Sequence, residues 1–331
     1  MFIQNDSQIA IIEFVFAGFD TVQRPLAVGV SMLILYIVTV VSNTANICFI
    51  VTDKRWHQPM YLFICHLAIV DIVYCTSSCP TMLGILLFGF KTISYKPCMV
   101  QMFVFHLSAT MEMFALAVMA FDRFYAISNP LRYPSVMTNF RCVLIIISLW
   151  LVGVSLLSIL PASVVPLPVC YSTLKYMFCD YPSILRLTCV DPEPYFNNIS
   201  IITTCIMLGT FGFICLSYLK IVIVVLKMSI KSDKKKAIHT CLSHLIVIVC
   251  FYVPTFTQAV LTRIGVVLTM EERNGLMVGS IIGPALVNPF VYCFRTEEIR
   301  KKIFFFFQKL NQLNKANKKK CLIYASQKDR F

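Results

Sequence analysis

The chain has 331 residues, 58% of them hydrophobic and 14% charged, with a formal net charge of +13. Its apolar residues come in long blocks instead of at amphipathic spacing, which excludes a water-soluble globular domain and points to a polytopic membrane protein. The positive charge taken alone suggests a nucleic-acid partner, but its distribution follows the two faces of a membrane and removes that reading.

Seven runs are long enough for a helix to cross hydrocarbon, at roughly 26–51, 59–86, 98–126, 140–163, 196–227, 237–261 and 275–294. A transmembrane barrel would instead give short alternating segments. With the amino terminus outside, 22 of the 29 Lys and Arg residues fall on the inner side, and only Arg24, Lys91, Lys96, Lys175, Arg186, Arg263 and Arg273 fall outside. That asymmetry sets the expected orientation. It divides the chain into an extracellular tail (1–25), an all-α bundle (26–294) with a long outer loop at about 164–195, and a cytoplasmic segment (295–331).

The amino-terminal MFIQNDSQIAIIEF lacks a basic region, an apolar core and a small-residue cleavage site, so no cleaved signal peptide is expected. Asn5-Asp6-Ser7 is a glycosylation acceptor on the outer tail. Asn198-Ile199-Ser200 has the same pattern where the fifth span enters the membrane, and is expected to go unused. The first span carries Asn43, the second Asp71, the third Glu112 and the seventh Asn288, within Asn288-Pro289-Phe290-Val291-Tyr292. Buried carboxyls must find partners or keep their protons. Four polar groups on four helices therefore predict one internal cluster, able to hold a sodium ion or protons; capture by local backbone carbonyls is the alternative.

The third span runs into MAFDRFYAISNPLRYP (119–134). An arginine centred on a lipid-facing helix costs on the order of 3 kcal/mol, so Asp122 and Arg123 are expected at the inner membrane face, just before Ser128, Asn129 and Pro130 end the helix. Cys98, Cys170, Cys179 and Cys189 lie on the outer side, where four cysteines allow three pairings. The inner segment KMSIKSDKKKAIHTCLSHL is basic and suits lipid headgroups. After the seventh span, TEEIRKKIFFFFQKL sets Ile299, Ile303 and Phe306 or Phe307 along one face, an amphipathic eighth helix on the inner surface. Cys321, in the basic tail beyond it, is a candidate palmitoylation site.

Four stretches in order, HQPMYLFICHLAIVD (57–71), MAFDRFYAISNPLRYP, KKAIHTCLSHL (235–245) and PALVNPFVY (284–292), resemble the odorant receptors of the rhodopsin-like G-protein-coupled family over essentially the whole chain. The phrases MAFDRF and FYVP (251–254) are most similar to its fish-like branch, class I, whose ligands include carboxylic compounds. Ser42-Asn43 stands where the family usually has Gly-Asn, and Phe124 where it has Tyr; the phenyl ring is kept. The resemblance implies bonds Cys98–Cys179 and Cys170–Cys189. It also implies that Asp122 holds Arg123 in the inactive state, and that helix 6 swings outward when ligand binds. Arg123 and Tyr218 then line a cleft for a stimulatory, olfactory-type G protein, with Asn288, Pro289 and Tyr292 in the switch.

The family places one face of the third helix, His106, Ala109, Thr110 and Met113, in the ligand cavity. The fifth helix would add Ile202 and Ile206, and the sixth a stripe of Tyr252, Thr255, Ala259 and Arg263. Arg263 offers bidentate geometry to an anionic head group, with His106 as a second contact. The competing readings have Arg263 snorkelling to headgroups or paired with Asp180 or Asp191, and His106 bonded to Thr110 or the outer loop. No resident cofactor is expected beyond a sodium ion; the expected partners are an odorant, a G protein and lipid. The rival readings are a receptor for a non-odorant metabolite and an ion channel or transporter, the latter opposed by seven spans without an internal repeat. An opsin would need a lysine in the seventh span, absent from 278–291, and an amine receptor usually has an aspartate where Phe105 stands. His239 and His244, five apart, do not make a metal pair on one helical face, and no enzyme is expected.

Overall fold

The structure, a computed structural model, describes residues 2–5, 8–11, 13–20, 22–52, 59–264 and 269–295. From the amino end its elements are β1 (Phe2–Asn5), β2 (Gln8–Ile11), β3 (Glu13–Phe16), α1 (Pro25–Thr52), α2 (Pro59–Phe88), β4 (Thr92–Ser94) and α3 (Tyr95–Ser128). They continue with α4 (Tyr133–Val136), α5 (Asn139–Leu157), α6 (Ile159–Val164), β5 (Thr173–Leu174), α7 (Tyr181–Leu185), α8 (Glu193–Lys227), α9 (Lys231–Ile264) and α10 (Met270–Arg295). Counting α5 and α6 as one, seven helices among the described residues are long and apolar enough to cross a membrane, at the seven places the hydropathy predicts. The expected eighth helix, with Ile299, Ile303 and Phe306, lies outside the described residues, as does Cys321.

α2 and α3 form the centre. Phe63, Leu67, Met82, Met111 and Leu116 are almost wholly buried there, while Ile34 on α1, Leu151 on α5 and Leu216 on α8 face outward. In water such an apolar exterior would be a large exposed patch; in a bilayer it is the lipid-facing surface, and the helices satisfy their own backbone groups. Pro80, Pro254, Pro284 and Pro289 sit inside α2, α9 and α10, each removing one backbone donor. Thr138 caps α5 by accepting from the Arg141 amide.

One end of the bundle carries a small sheet that hydropathy does not reveal. β3 lies between β4, antiparallel to it, and β5, parallel to it. The two-residue alternation of Glu13-Phe14-Val15-Phe16 turns Phe14 and Phe16 inward, and both are buried. The segment read as a tail is thus sewn to two loops of the bundle, helped by Lys91 Nζ donating to Asp20 at 2.7 Å. Gly18 is required by close approach, since a Cβ there would stand 2.3 Å from the Tyr176 carbonyl carbon. Gly89, at φ +70°, supplies the left-handed residue that ends α2. Both bonds implied by the resemblance, Cys98–Cys179 and Cys170–Cys189, are present at this end.

Candidate functional site

Beneath the sheet, α2, α3, α9 and α10 enclose a chamber of about 200 Å³. Tyr74, Phe105, Phe251 and Met277 supply apolar wall, and His106, Thr255, Gln258 and Ser280 supply polar points, the mix that orients a small organic molecule. The loop before α7 makes its roof. Cys98–Cys179 ties that loop to the start of α3, and Gln101 holds it from below: Gln101 Oε1 accepts from the Cys179 amide at 2.9 Å while Nε2 donates to the Ser77 carbonyl and Thr81 Oγ1, both at 2.7 Å. Asp180 caps α7 and faces the chamber, where its Oδ1 lies 2.8 Å from His106 Nε2, at hydrogen-bonding distance, and accepts from the Tyr181 amide at 2.9 Å. Tyr181, behind the roof, bonds to Ser163 at 2.9 Å, and burial pushes its hydroxyl pKa up.

Deeper in the bundle the four intramembrane polar residues divide into three arrangements. Asn288 Nδ2 donates to both oxygens of Asp71, at 3.1 and 3.0 Å. Asn43 Nδ2 donates to the Ala285 carbonyl at 2.9 Å. That carbonyl is four residues before Pro289, whose missing N–H leaves it without a helical partner, so Asn43 of α1 repairs the break in α10. Glu112 is wholly buried with neither oxygen hydrogen-bonded, and the Asn43 and Asn288 side-chain carbonyls are likewise unbonded. Asp71 and Glu112 are close enough to interact electrostatically. Buried acceptors left without donors call for retained protons or a bound cation.

At the opposite end, buried Asp122 accepts from Arg123, through Nη2 and through Nε at 3.1 Å, and from the Tyr133 hydroxyl at 2.7 Å. Burial, and next the Asp122 carboxylate, push the Tyr133 pKa well up, so it remains a donor. The Tyr218 hydroxyl on α8 bonds to the Cys241 carbonyl at 3.2 Å and to His244 Nδ1 at 2.9 Å, joining α8 to α9.

A family model described as "Olfactory receptor" matches residues 32–309. The chain belongs to the olfactory receptor family. Similar curated relatives include Olfactory receptor 6N1 of Homo sapiens, 34% identical over 301 residues that cover 90% of this chain and 95% of the relative. Olfactory receptor 2A7 of Mus musculus is 34% identical over 306 residues, 90% and 96%. Olfactory receptor 1M1 of Homo sapiens is 35% identical over 271 residues, 80% and 85%. This olfactory receptor is accordingly a multi-pass membrane protein of the G-protein-coupled type, a receptor and not an enzyme.

Within the receptor, His106, Ala109, Met113 and Thr255 line the chamber. Thr110, Ile202, Ile206 and Ala259 are not part of its wall, and Tyr252 turns away, its hydroxyl donating to Thr210 Oγ1 at 2.8 Å among Phe211 and Phe256. The side chains of Arg263 and Tyr292 lie outside the described residues; Asn5 ends β1, while Asp6 and Ser7 of its acceptor pattern lie outside them. Sequence reasoning missed Phe105, Phe251 and Met277 as wall, and Asp180 as part of the chamber. It also missed Tyr133, although that residue stands inside the stretch singled out around Arg123.

Proposed function

We propose that this receptor binds a small organic odorant in the roofed chamber and signals to a stimulatory, olfactory-type heterotrimeric G protein at the Arg123 end, from the plasma membrane with its amino terminus outside. The chamber carries the reading: about 200 Å³, aromatic walls, a few polar points and a stapled roof suit one small molecule withdrawn from water. Charge supports the orientation, since Lys and Arg crowd the Asp122 side. Activation requires the odorant to bind the state with α9 displaced more tightly than the state with Arg123 held by Asp122 and Tyr218 bonded across α8 and α9.

A carboxylic acid is the ligand class we propose, in keeping with the fish-like branch suggested by MAFDRF and FYVP. In this reading Arg263 takes its head group bidentately, His106 is the second contact, and Phe251 and Met277 of the chamber wall adjoin its chain. One observation favours a second reading: Asp180 contributes a carboxylate to the wall, which suits an amine or another hydrogen-bond donor. Cyclic-AMP responses to short acids, alcohols, aldehydes and amines decide between them. Arg263→Ala is expected to abolish acid responses and spare alcohols; unchanged acid responses rule the anchor out, and amine responses lost in Asp180→Asn favour the second reading.

Asp71, Glu112, Asn43 and Asn288 would hold a sodium ion, a reading supported by the unbonded side-chain oxygens of Glu112, Asn43 and Asn288. Replacing external sodium by a large organic cation is expected to shift the dose-response curve of the parent and not of Glu112→Gln.

A further inference from the structure

A second cavity, of about 680 Å³, lies between α1 and α10 at the roofed end and shares no lining residue with the chamber. The segment leading from β3 into α1 covers it, and Asn274 Nδ2 of α10 donates to the Gly18 carbonyl at 2.9 Å, holding that cover in place. Its walls are Met32, Leu35, Leu86 and Val278, and it opens sideways along α1, where Val28 and Leu35 are exposed. On a membrane-spanning bundle that opening faces hydrocarbon, so the occupant comes from the bilayer.

The rim is what gives the cleft selectivity. Arg24, immediately before α1, and Glu271, in the first turn of α10, both line it. Both are exposed, and among the described residues no ion pair joins them. Two opposite charges stand at the mouth of an apolar cleft, at the level where the helices leave the membrane, and do not neutralise each other. A molecule carrying a phosphate for Arg24, an ammonium for Glu271 and an acyl chain for the walls satisfies all three features. An anionic lipid would set uncompensated charge beside Glu271, and a neutral apolar compound would use neither rim group. We propose that the cleft between α1 and α10 is a site for one zwitterionic phospholipid. Leu86 and Met177, on its inner wall, pack in the same cluster as Phe105 and Met277 of the chamber, so the lipid buttresses the partition between them.

Native mass spectrometry of the purified full chain tests this, with phosphatidylethanolamine, phosphatidylcholine and phosphatidylglycerol of identical acyl chains. The parent is expected to retain one molecule of either zwitterion about two- to fivefold better than phosphatidylglycerol, the worth of an exposed charge contact. Glu271→Lys is expected to reverse that order, and Arg24→Ala to lower retention of all three lipids, whose phosphate they share, while keeping the order. Gly275 lines the cleft, and a Cβ there meets nothing within 4 Å, so Gly275→Phe grows into open space and is expected to remove the retained lipid. Equal retention of all three headgroups by the parent, or the parent's order persisting in Glu271→Lys, overturns the proposal. Retention unaffected by Gly275→Phe in a protein with the parental melting temperature locates the lipid elsewhere and overturns it too. The charge variants sit on exposed positions and keep the test decisive if Gly275→Phe fails to fold.

Discussion

The two ends of the bundle are held by different kinds of bond. At the roofed end the chain is fixed covalently and by backbone: two disulfides, a three-stranded sheet that recruits the amino-terminal segment, and a capped helical turn over the chamber. At the other end the ties are side-chain hydrogen bonds from Arg123 and Tyr133 to Asp122, and between Tyr218 and α9. A disulfide is covalent and has no exchange partner short of another thiol, whereas an arginine or a tyrosine can exchange one acceptor for another at little net cost. The proposed division of labour, recognition at the roofed end and rearrangement at the other, would place the rigid bonds and the exchangeable bonds where the structure has them.

Removing Cys98–Cys179 is the most severe way to break this contrast. Cys98→Ser is expected to cost about 2–5 kcal/mol and surface expression with it. The Cys98–Cys179 loop spans 81 residues and the Cys170–Cys189 loop 19, so loop-closure entropy makes Cys170→Ser milder by about 1.3 kcal/mol. Thermal unfolding of the purified variants gives both values. Equal losses would mean that local packing, and not the unfolded chain, sets the worth of each bond.

Tyr133→Phe probes the exchangeable end. A hydrogen bond to a charged acceptor is worth about 1.5–3 kcal/mol, so loosening Asp122 is expected to raise ligand-independent cyclic AMP about tenfold or more without moving the melting temperature as far as Cys98→Ser does. Because the folded Tyr133 pKa lies above its ordinary value of 10.0, its contribution is complete below pH 10 and lost only above it. Basal activity is therefore expected to show no step from this residue between about pH 6 and 9.

Between the ends lies the repair of α10 by Asn43. Asn43→Ala leaves the Ala285 carbonyl unbonded and is expected to cost about 1–3 kcal/mol. In a Pro289→Ala background the restored N–H can serve that carbonyl, and the same substitution should cost less. Additive losses in the double-mutant cycle would show that Asn43 acts through something other than the carbonyl freed by Pro289.

Which parts were legible in the sequence follows from the same division. The seven spans were readable because hydrocarbon imposes a length and a composition that no local contact overrides, and Asp122 and Arg123 because charge at a membrane face demands a reason. The disulfide pairing came from the resemblance; spacing alone left three choices. The sheet was hidden because its strands are two to four residues long and join positions 13–16, 92–94 and 173–174, far apart in the chain. Asp180 could be read as an outer-loop acid, but only the bond between Cys98 and Cys179 brings it over His106.

On α9 the stripe that lines the chamber is one residue out of phase with the expected one, and this yields the smallest effect. The stripe expected in the chamber was Tyr252, Thr255 and Ala259; the stripe lining it is Phe251, Thr255 and Gln258. Both are sound helical stripes through Thr255, because neighbours at i+3 and i+4 lie on either side of one line, and sequence alone does not choose between them. Tyr252→Phe distinguishes the two. If Tyr252 joins α9 to α8 through Thr210, losing the hydroxyl costs about 0.5–1.5 kcal/mol in stability and leaves odorant potency unchanged. Thr210→Val should then cost a similar amount, and the two losses should not add. A potency shift in Tyr252→Phe with parental stability would return this side chain to the chamber and rotate α9 by one residue in the ligand-bound state.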